Sequence, residues 1–204
     1  MEYILHLFYG VIMAYFGLIS PGMLNMTALK IRINNGTSDS LKFAFGAALV
    51  VFIQVGIALY FANFFNRNPH IINVLKVIGV VVFFLLSIFF YKLSRKELKP
   101  NSTNTKGNYF LRGIGMSSIN MLAIPFYLGI SIFLAAENKI KIEHPFILLF
   151  IFGAALGSFL LFCSYIIFAK VISKKVAFIA KNINLILSLL FLGLGILTLF
   201  KVLH

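Results

Sequence analysis

The side chains able to do acid–base chemistry are few and poorly placed for it. Glu2, Asp39, Glu97, Glu137 and Glu143 are all the acids in 204 residues, and each falls outside the long apolar stretches. Four histidines sit at the ends of those stretches, and Cys163 is the lone cysteine. No nucleophile–base arrangement, phosphate-cradling loop or metal-ligand spacing appears, so an enzyme activity, a bound metal and a cofactor all lack support. One cysteine also leaves no disulfide and no CxxC redox pair. The polar residues that do lie within apolar stretches are of another kind. Pro21-Gly22, with Ser20 and Asn25 beside them, interrupts the first stretch; Asn120 and Pro125 fall in the fourth; Gln54 stands near the middle of the second. Proline removes one N–H and crowds the carbonyl four residues back, leaving backbone groups without helical partners. Where no water reaches, such groups survive only by lining a cavity or finding polar partners. Ser20, Asn25, Ser117, Ser118 and Asn120 are the nearest partners. The chemistry on offer is neutral hydrogen bonding plus oriented helix-end dipoles, which suits the carboxylate or ammonium of a small zwitterion.

The elements that position these residues follow from composition. The chain is 61% hydrophobic and 11% charged, too apolar for one soluble core of this length. Six stretches reach the roughly 20 apolar residues that a helix needs to cross a hydrocarbon layer: residues 3–29, 43–65, 71–91, 113–136, 146–169 and 183–200. None shows the alternation of a barrel strand, so each is expected to be a helix with its backbone bonds closed internally. The start, Met1-Glu2-Tyr3, lacks a basic region, and its apolar run is long; it is expected to be the first span and not a cleaved signal peptide. The expected fold is an all-α integral membrane protein of six transmembrane helices.

A net charge of +13 invites a nucleic-acid reading, but the distribution refuses it. Thirteen Lys and Arg residues fall in the connections after spans one, three and five, against four (Arg67, Lys139, Lys141, Lys201) on the opposite side, with Lys76 inside span three. Basic residues are retained in the cytoplasm during insertion, so both termini are expected outside.

Pairs recur in order along the chain. Phe45-Gly46-Ala47-Ala48-Leu49 returns as Phe152-Gly153-Ala154-Ala155-Leu156, 107 positions later. Pro21 precedes Pro125 by 104, and Ile72-Asn73 precedes Ile183-Asn184 by 111. Three spans per half make the second copy enter the membrane upside down, giving two inverted-topology repeats. The expected divisions are 1–93 and 110–204 for the repeats and 94–109 for a polar cytoplasmic linker. The duplicated pentapeptide reads mainly as packing, because small residues let membrane helices approach closely.

Ser20-Pro21-Gly22-Met23-Leu24-Asn25, then Gly36, then the small-residue run at Gly46, resembles the first-repeat signature of the lysine exporter (LysE/RhtB) family. The glycine-led segment 113–121, ending Asn120-Met121, is similar to that family's second signature. Met23 and Met121 stand where the family carries proline, and Val50 and Gln54 where it often carries glycine and aspartate. The resemblance covers essentially the whole chain. It implies export of amino acids or similar small metabolites across a bacterial inner membrane. Substrate contacts are then expected from Pro21, Gly22, Asn25, Gln54, Asn120 and Pro125.

Coupling is harder to place, because proton-driven carriers usually use an intramembrane carboxylate or histidine. His6 and Lys76 are near the outer ends of their helices, where Lys76 can snorkel to the interface. Asp39 is a loop acid on the cytoplasmic face that could join an inner gate. Gln54 serves either helix–helix bonding or the substrate path. Partners expected are a small-molecule substrate and the lipid bilayer, with a homodimer left open and no nucleic acid. Two alternatives stand beside amino-acid export: a cation or metal exporter, for which carboxylate and soft ligands are scarce, and a non-transporting scaffold or accessory subunit. A water-accessible mid-plane cavity between the breaks is expected of a carrier, and spans two and five packed solid through the centre of a scaffold.

Overall fold

The apolar stretches fold as eight helices in a computed structural model that describes residues 2–66, 69–95, 107–120 and 122–203. They are α1 (Glu2–Gly17), α2 (Met23–Asn35), α3 (Thr37–Asn66), α4 (Pro69–Arg95), α5 (Tyr109–Ser118), α6 (Ala123–Ala136), α7 (Phe146–Ile167) and α8 (Ala169–Leu203). Among the described residues three segments are long and apolar enough to cross a membrane: Thr37–Phe64, Phe146–Ile167 and Asn182–Phe200. A fourth crossing is reached if α5 and α6, bent by 65° at their junction, count as one broken span. The described residues are thus those of an all-helical membrane protein. The side chain of Lys76 and linker residues 96–106 lie outside the described residues. The linker's expected edges are partly helical, since α4 runs through Ser94 and Arg95, while Asn108 caps α5 by accepting from the Phe110 and Leu111 N–H groups.

The expected first span is two helices. Gly17 ends α1, a non-helical stretch carries Pro21, and α2 begins at Met23. It ends at Gly36, whose φ of 98° and ψ of −178° suit glycine and whose N–H closes on the Ile31 carbonyl.

Close helix approach is where the small residues act. A methyl group on Gly10 would meet the Phe150 carbonyl and the Ala154 N–H, and one on Gly153 would meet the Leu7 carbonyl. In the other half, a methyl on Gly113 would meet the Phe43 carbonyl and the Ala47 N–H, and one on Gly46 the Phe110 carbonyl. The two sets correspond residue by residue: Leu7 and Gly10 shift by 103 to Phe110 and Gly113, and Phe43, Gly46 and Ala47 shift by 107 to Phe150, Gly153 and Ala154. Aromatic contacts repeat the pattern. Phe52 meets Phe152 edge-on at 5.1 Å and Phe45 meets Phe159 edge-on at 6.3 Å. Gly157, packed on Val11, corresponds to Val50, so α1 and α7 keep one tight contact that α3 and α5 lack.

The helices sort into two packed groups. Helices α1, α3, α6 and α7 share the main core, in which Val51, Val55 and Ala58 of α3 meet Phe150, Ile151 and Ala154 of α7 around the buried Tyr127. Helices α2 and α5 join the other ends of α3 and α7 through Leu24, Ala28, Phe43, Tyr109 and Phe162. Helices α4 and α8 pack mainly on one another through Phe83, Leu86, Leu187 and Phe191. Ser87 and Ser188 tie that pair, each hydroxyl donating to the other's carbonyl at 2.9 Å. The direct apolar contact of α3 with α7 is the packing expected above of a scaffold. A carrier that alternates its access also closes in this way.

Candidate functional site at two helix breaks

At the first break, three carbonyls at the end of α1 lack helical partners and obtain side-chain ones. The Asn25 amide donates to the carbonyls of Leu18 and Ser20, both at 2.7 Å. The Tyr165 hydroxyl of α7 donates to the Ile19 carbonyl at 2.7 Å. Ser20 donates its hydroxyl to the Asn184 side-chain oxygen of α8, which pins the break to the α4–α8 pair. Asn184 is 1% exposed, and its amide nitrogen has no hydrogen-bond partner. Gly22 sits in extended backbone with ample room for a side chain; its contribution is the space it leaves. Pro21 is buried at the turn.

The second break lies at Ile119–Leu122, before Pro125 and not at it. Pro125 is the third residue of α6, within the first turn, where no intrahelical bond needs its missing N–H. Gln54, 5% exposed, reaches from α3 and donates to the carbonyls of Ser117 at 3.0 Å and Asn120 at 3.3 Å. Both partners are acceptors, so the nitrogen must face them, and the Gln54 side-chain oxygen is left buried without a partner. The Ser117 hydroxyl donates to the Ala47 carbonyl. Asn120 is half-buried and contributes its backbone to this cluster.

Each break is therefore bonded from the opposite half of the chain, by Tyr165 and Asn184 at the first and by Gln54 at the second. Phe126 links them. Its ring lies over Gly17 at the end of α1 and meets Phe191 of α8 edge-on at 6.2 Å. It packs against both the main core and the α4–α8 core. The structure thus brings Pro21, Gly22 and Asn25 to one break and Gln54, Asn120 and Pro125 to the other. Asp39 is elsewhere, in the first turn of α3, paired with Lys42 at 3.0 Å. A groove of about 600 Å³ opens near it between Lys42, Phe45, Phe110 and Phe159 and does not reach either break.

His6 is committed to structure. Its Nε2 accepts from the Lys141 N–H at 2.7 Å and its Nδ1 faces the Glu2 carbonyl at 2.7 Å. The bonds define a neutral tautomer with the proton on Nδ1. The Lys141 ammonium meets the Glu2 carboxylate at 2.8 Å and holds that carboxyl below its ordinary value. These contacts place the N-terminus and the α6–α7 connection on one face.

Sequence reasoning missed Asn184 and Phe126. The paired Ile183-Asn184 marked the repeat but not a buried amide, and Phe126 looked like one apolar residue among many.

No match was found among curated proteins or among solved structures. A family model, LysE type translocator, matches residues 5–201, nearly the entire chain. The chain belongs to the LysE type translocator family and is a membrane transporter.

Proposed function

We propose that the protein exports a small amino acid or amino-acid-like metabolite by alternating access across the bacterial inner membrane. In this reading α1–α2, α3 and α4 form one three-span repeat and α5–α6, α7 and α8 its inverted copy, with six crossings and both termini outside. The matched glycine contacts and the matched aromatic pairs support the repeat. The observation that carries the transport site is the pair of breaks, each bonded across the repeat and joined by Phe126. Substrate sits between the breaks and the α4–α8 pair, contacted by Gly22, Gln54 and the backbone about Asn120, while Asn25 and Pro21 hold the first break open. Movement of α4–α8 against the other helices exposes this site to each side in turn. Ser20–Asn184 and Phe126 are the contacts that such a movement remakes. Asp39 with Lys42 marks the inner face, where the pair opens or closes the exit.

The test is release from living cells. A bacterial host lacking its own amino-acid exporters is fed dipeptides, and the amino acids outside are measured with and without the protein. Selective release that fails in Asn25→Ala and Gln54→Leu variants of normal abundance supports export. Release no greater than from empty cells, with the protein inserted, rejects it.

A further inference from the structure

The two breaks differ in the hydrogen-bonding capacity they have left over, and from that difference we infer the orientation of the substrate and a binding residue, Asn184. The inference rests on the proposed amino-acid export. At the first break the carbonyls of Leu18, Ile19 and Ser20 each already have a side-chain donor, from Asn25 or Tyr165. The buried side-chain atom left unpartnered there is a donor, and so are the free backbone groups of α2. Helix α2 starts at Met23 with no side-chain cap, so its first N–H groups have no intrahelical partner. The amide nitrogen of Asn184, whose oxygen Ser20 bonds just ahead of that helix, is buried and unpartnered. The positive end of α2 adds to the same polarity.

At the second break the balance reverses. Pro125 removes a donor from the first turn of α6. The C-terminal carbonyls of α5 at Ser117 point to Gln54, whose side-chain oxygen is buried without a partner. The Gln54 NH₂ rests on two carbonyls as an ammonium group would, so it stands in for one while the site is closed. The substrate carboxylate binds at Asn184 and the α2 N-terminus. Its ammonium binds at the Gln54 oxygen and the carbonyls of Ser117 and Asn120, displacing the Gln54 NH₂. None of these groups is charged, so the site takes a net-neutral zwitterion and discriminates against a cationic or anionic side chain, which would stay uncompensated in a desolvated site.

Ligand fragments separate the two half-sites. Binding to purified protein is measured for the twenty common amino acids, then for the primary amine and the carboxylic acid obtained by removing one end group from the tightest binder. Asn184→Asp keeps an acceptor for Ser20 and removes the donor, which reads the amide orientation directly. It is expected to weaken the amino acid and the acid at least tenfold, the loss of one charge-assisted hydrogen bond, and to leave the amine unchanged. Gln54→Leu is expected to weaken the amino acid and the amine and spare the acid. Wild-type protein that binds no amino acid overturns the proposed export and this inference with it. Wild-type binding with variants that weaken amine and acid alike, or in the opposite sense, overturns the orientation alone. A folded Asn184→Asp protein that binds the amino acid as wild type does removes Asn184 from the site.

Discussion

Replacing Gly153 by alanine tests the packing that sets the two halves against each other. The added methyl would fall on the carbonyl, carbonyl carbon and Cα of Leu7, all backbone atoms. No side-chain rotation relieves that contact, so α1 must move away from α7. Overpacking of this kind costs about 1–3 kcal/mol. Alanine also raises helix propensity, by about 1 kcal/mol at an unobstructed position, which would mask part of the loss. Gly193→Ala supplies the reference, because nothing lies within 4 Å of a methyl group there. The difference between the two variants is then the clash alone, about 1–3 kcal/mol, or roughly 5- to 150-fold in the unfolding equilibrium. The assay is reversible unfolding in mixed micelles, titrated with a denaturing detergent and followed by circular dichroism. Gly46→Ala, whose methyl would strike the Phe110 carbonyl, should lose stability in the same direction as Gly153→Ala. Gly153→Ala and Gly193→Ala unfolding at the same detergent fraction would refute the close approach of α1 and α7. A stable Gly46→Ala beside an unstable Gly153→Ala would refute the equivalence of the two halves.

Four further outcomes are expected. Gly17→Ala pushes a methyl into the Phe126 ring, so Gly17→Ala/Phe126→Ala should be less destabilised than the sum of the single variants, by roughly 0.5–3 kcal/mol in a double-mutant cycle; simple additivity would separate these residues. Gln54→Leu removes the bonds that tie α3 to the carbonyls of Ser117 and Asn120, which keep their backbone donors, and should lower stability by about 0.5–1.5 kcal/mol per bond lost; thermal melts in detergent that show no change would refute the tie. The Glu2 carboxyl is held below its ordinary value of 4.5 by Lys141, so its contribution is present above pH 4.5 and lost as pH falls through the lower folded value; protease protection of the N-terminus should decline below pH 4.5 in wild type at low salt and be flat in Glu2→Gln. Ser102→Cys in a Cys163→Ser background should react with impermeant maleimide only from the cytoplasmic side, and labelling from outside would invert the orientation.

The helices were legible because a membrane crossing demands an apolar run, and each predicted run became a helix or a broken pair. The first break was legible for the same local reason, since Pro21-Gly22 cannot continue a helix. The second was misplaced by a few residues. Proline reads as an interruption in sequence, yet within the first turn of α6 it is harmless, and the chain breaks at Ile119–Leu122 ahead of it. Gln54 was legible as a buried amide needing partners, but not that these would be the carbonyls of the opposite break. Asn25 was expected to face substrate, and its amide nitrogen proves to be used by Leu18 and Ser20. Asn184 and Phe126 act through Ser20, Gly17 and Phe191, residues 65 or more positions away, and no local pattern reports such contacts. Glycine was the exception: the repeated Gly46 and Gly153 marked close approaches before their partners were known.

Transport by the isolated protein tests the central claim most directly. Purified protein is reconstituted in liposomes preloaded with unlabelled amino acid, and uptake of the same amino acid in radiolabelled form is followed by counterflow. The account predicts saturable uptake of one or a few net-neutral amino acids, absent from empty liposomes and lost in Asn184→Asp. Uptake equal to empty liposomes for every common amino acid, with folded and inserted protein, would contradict it.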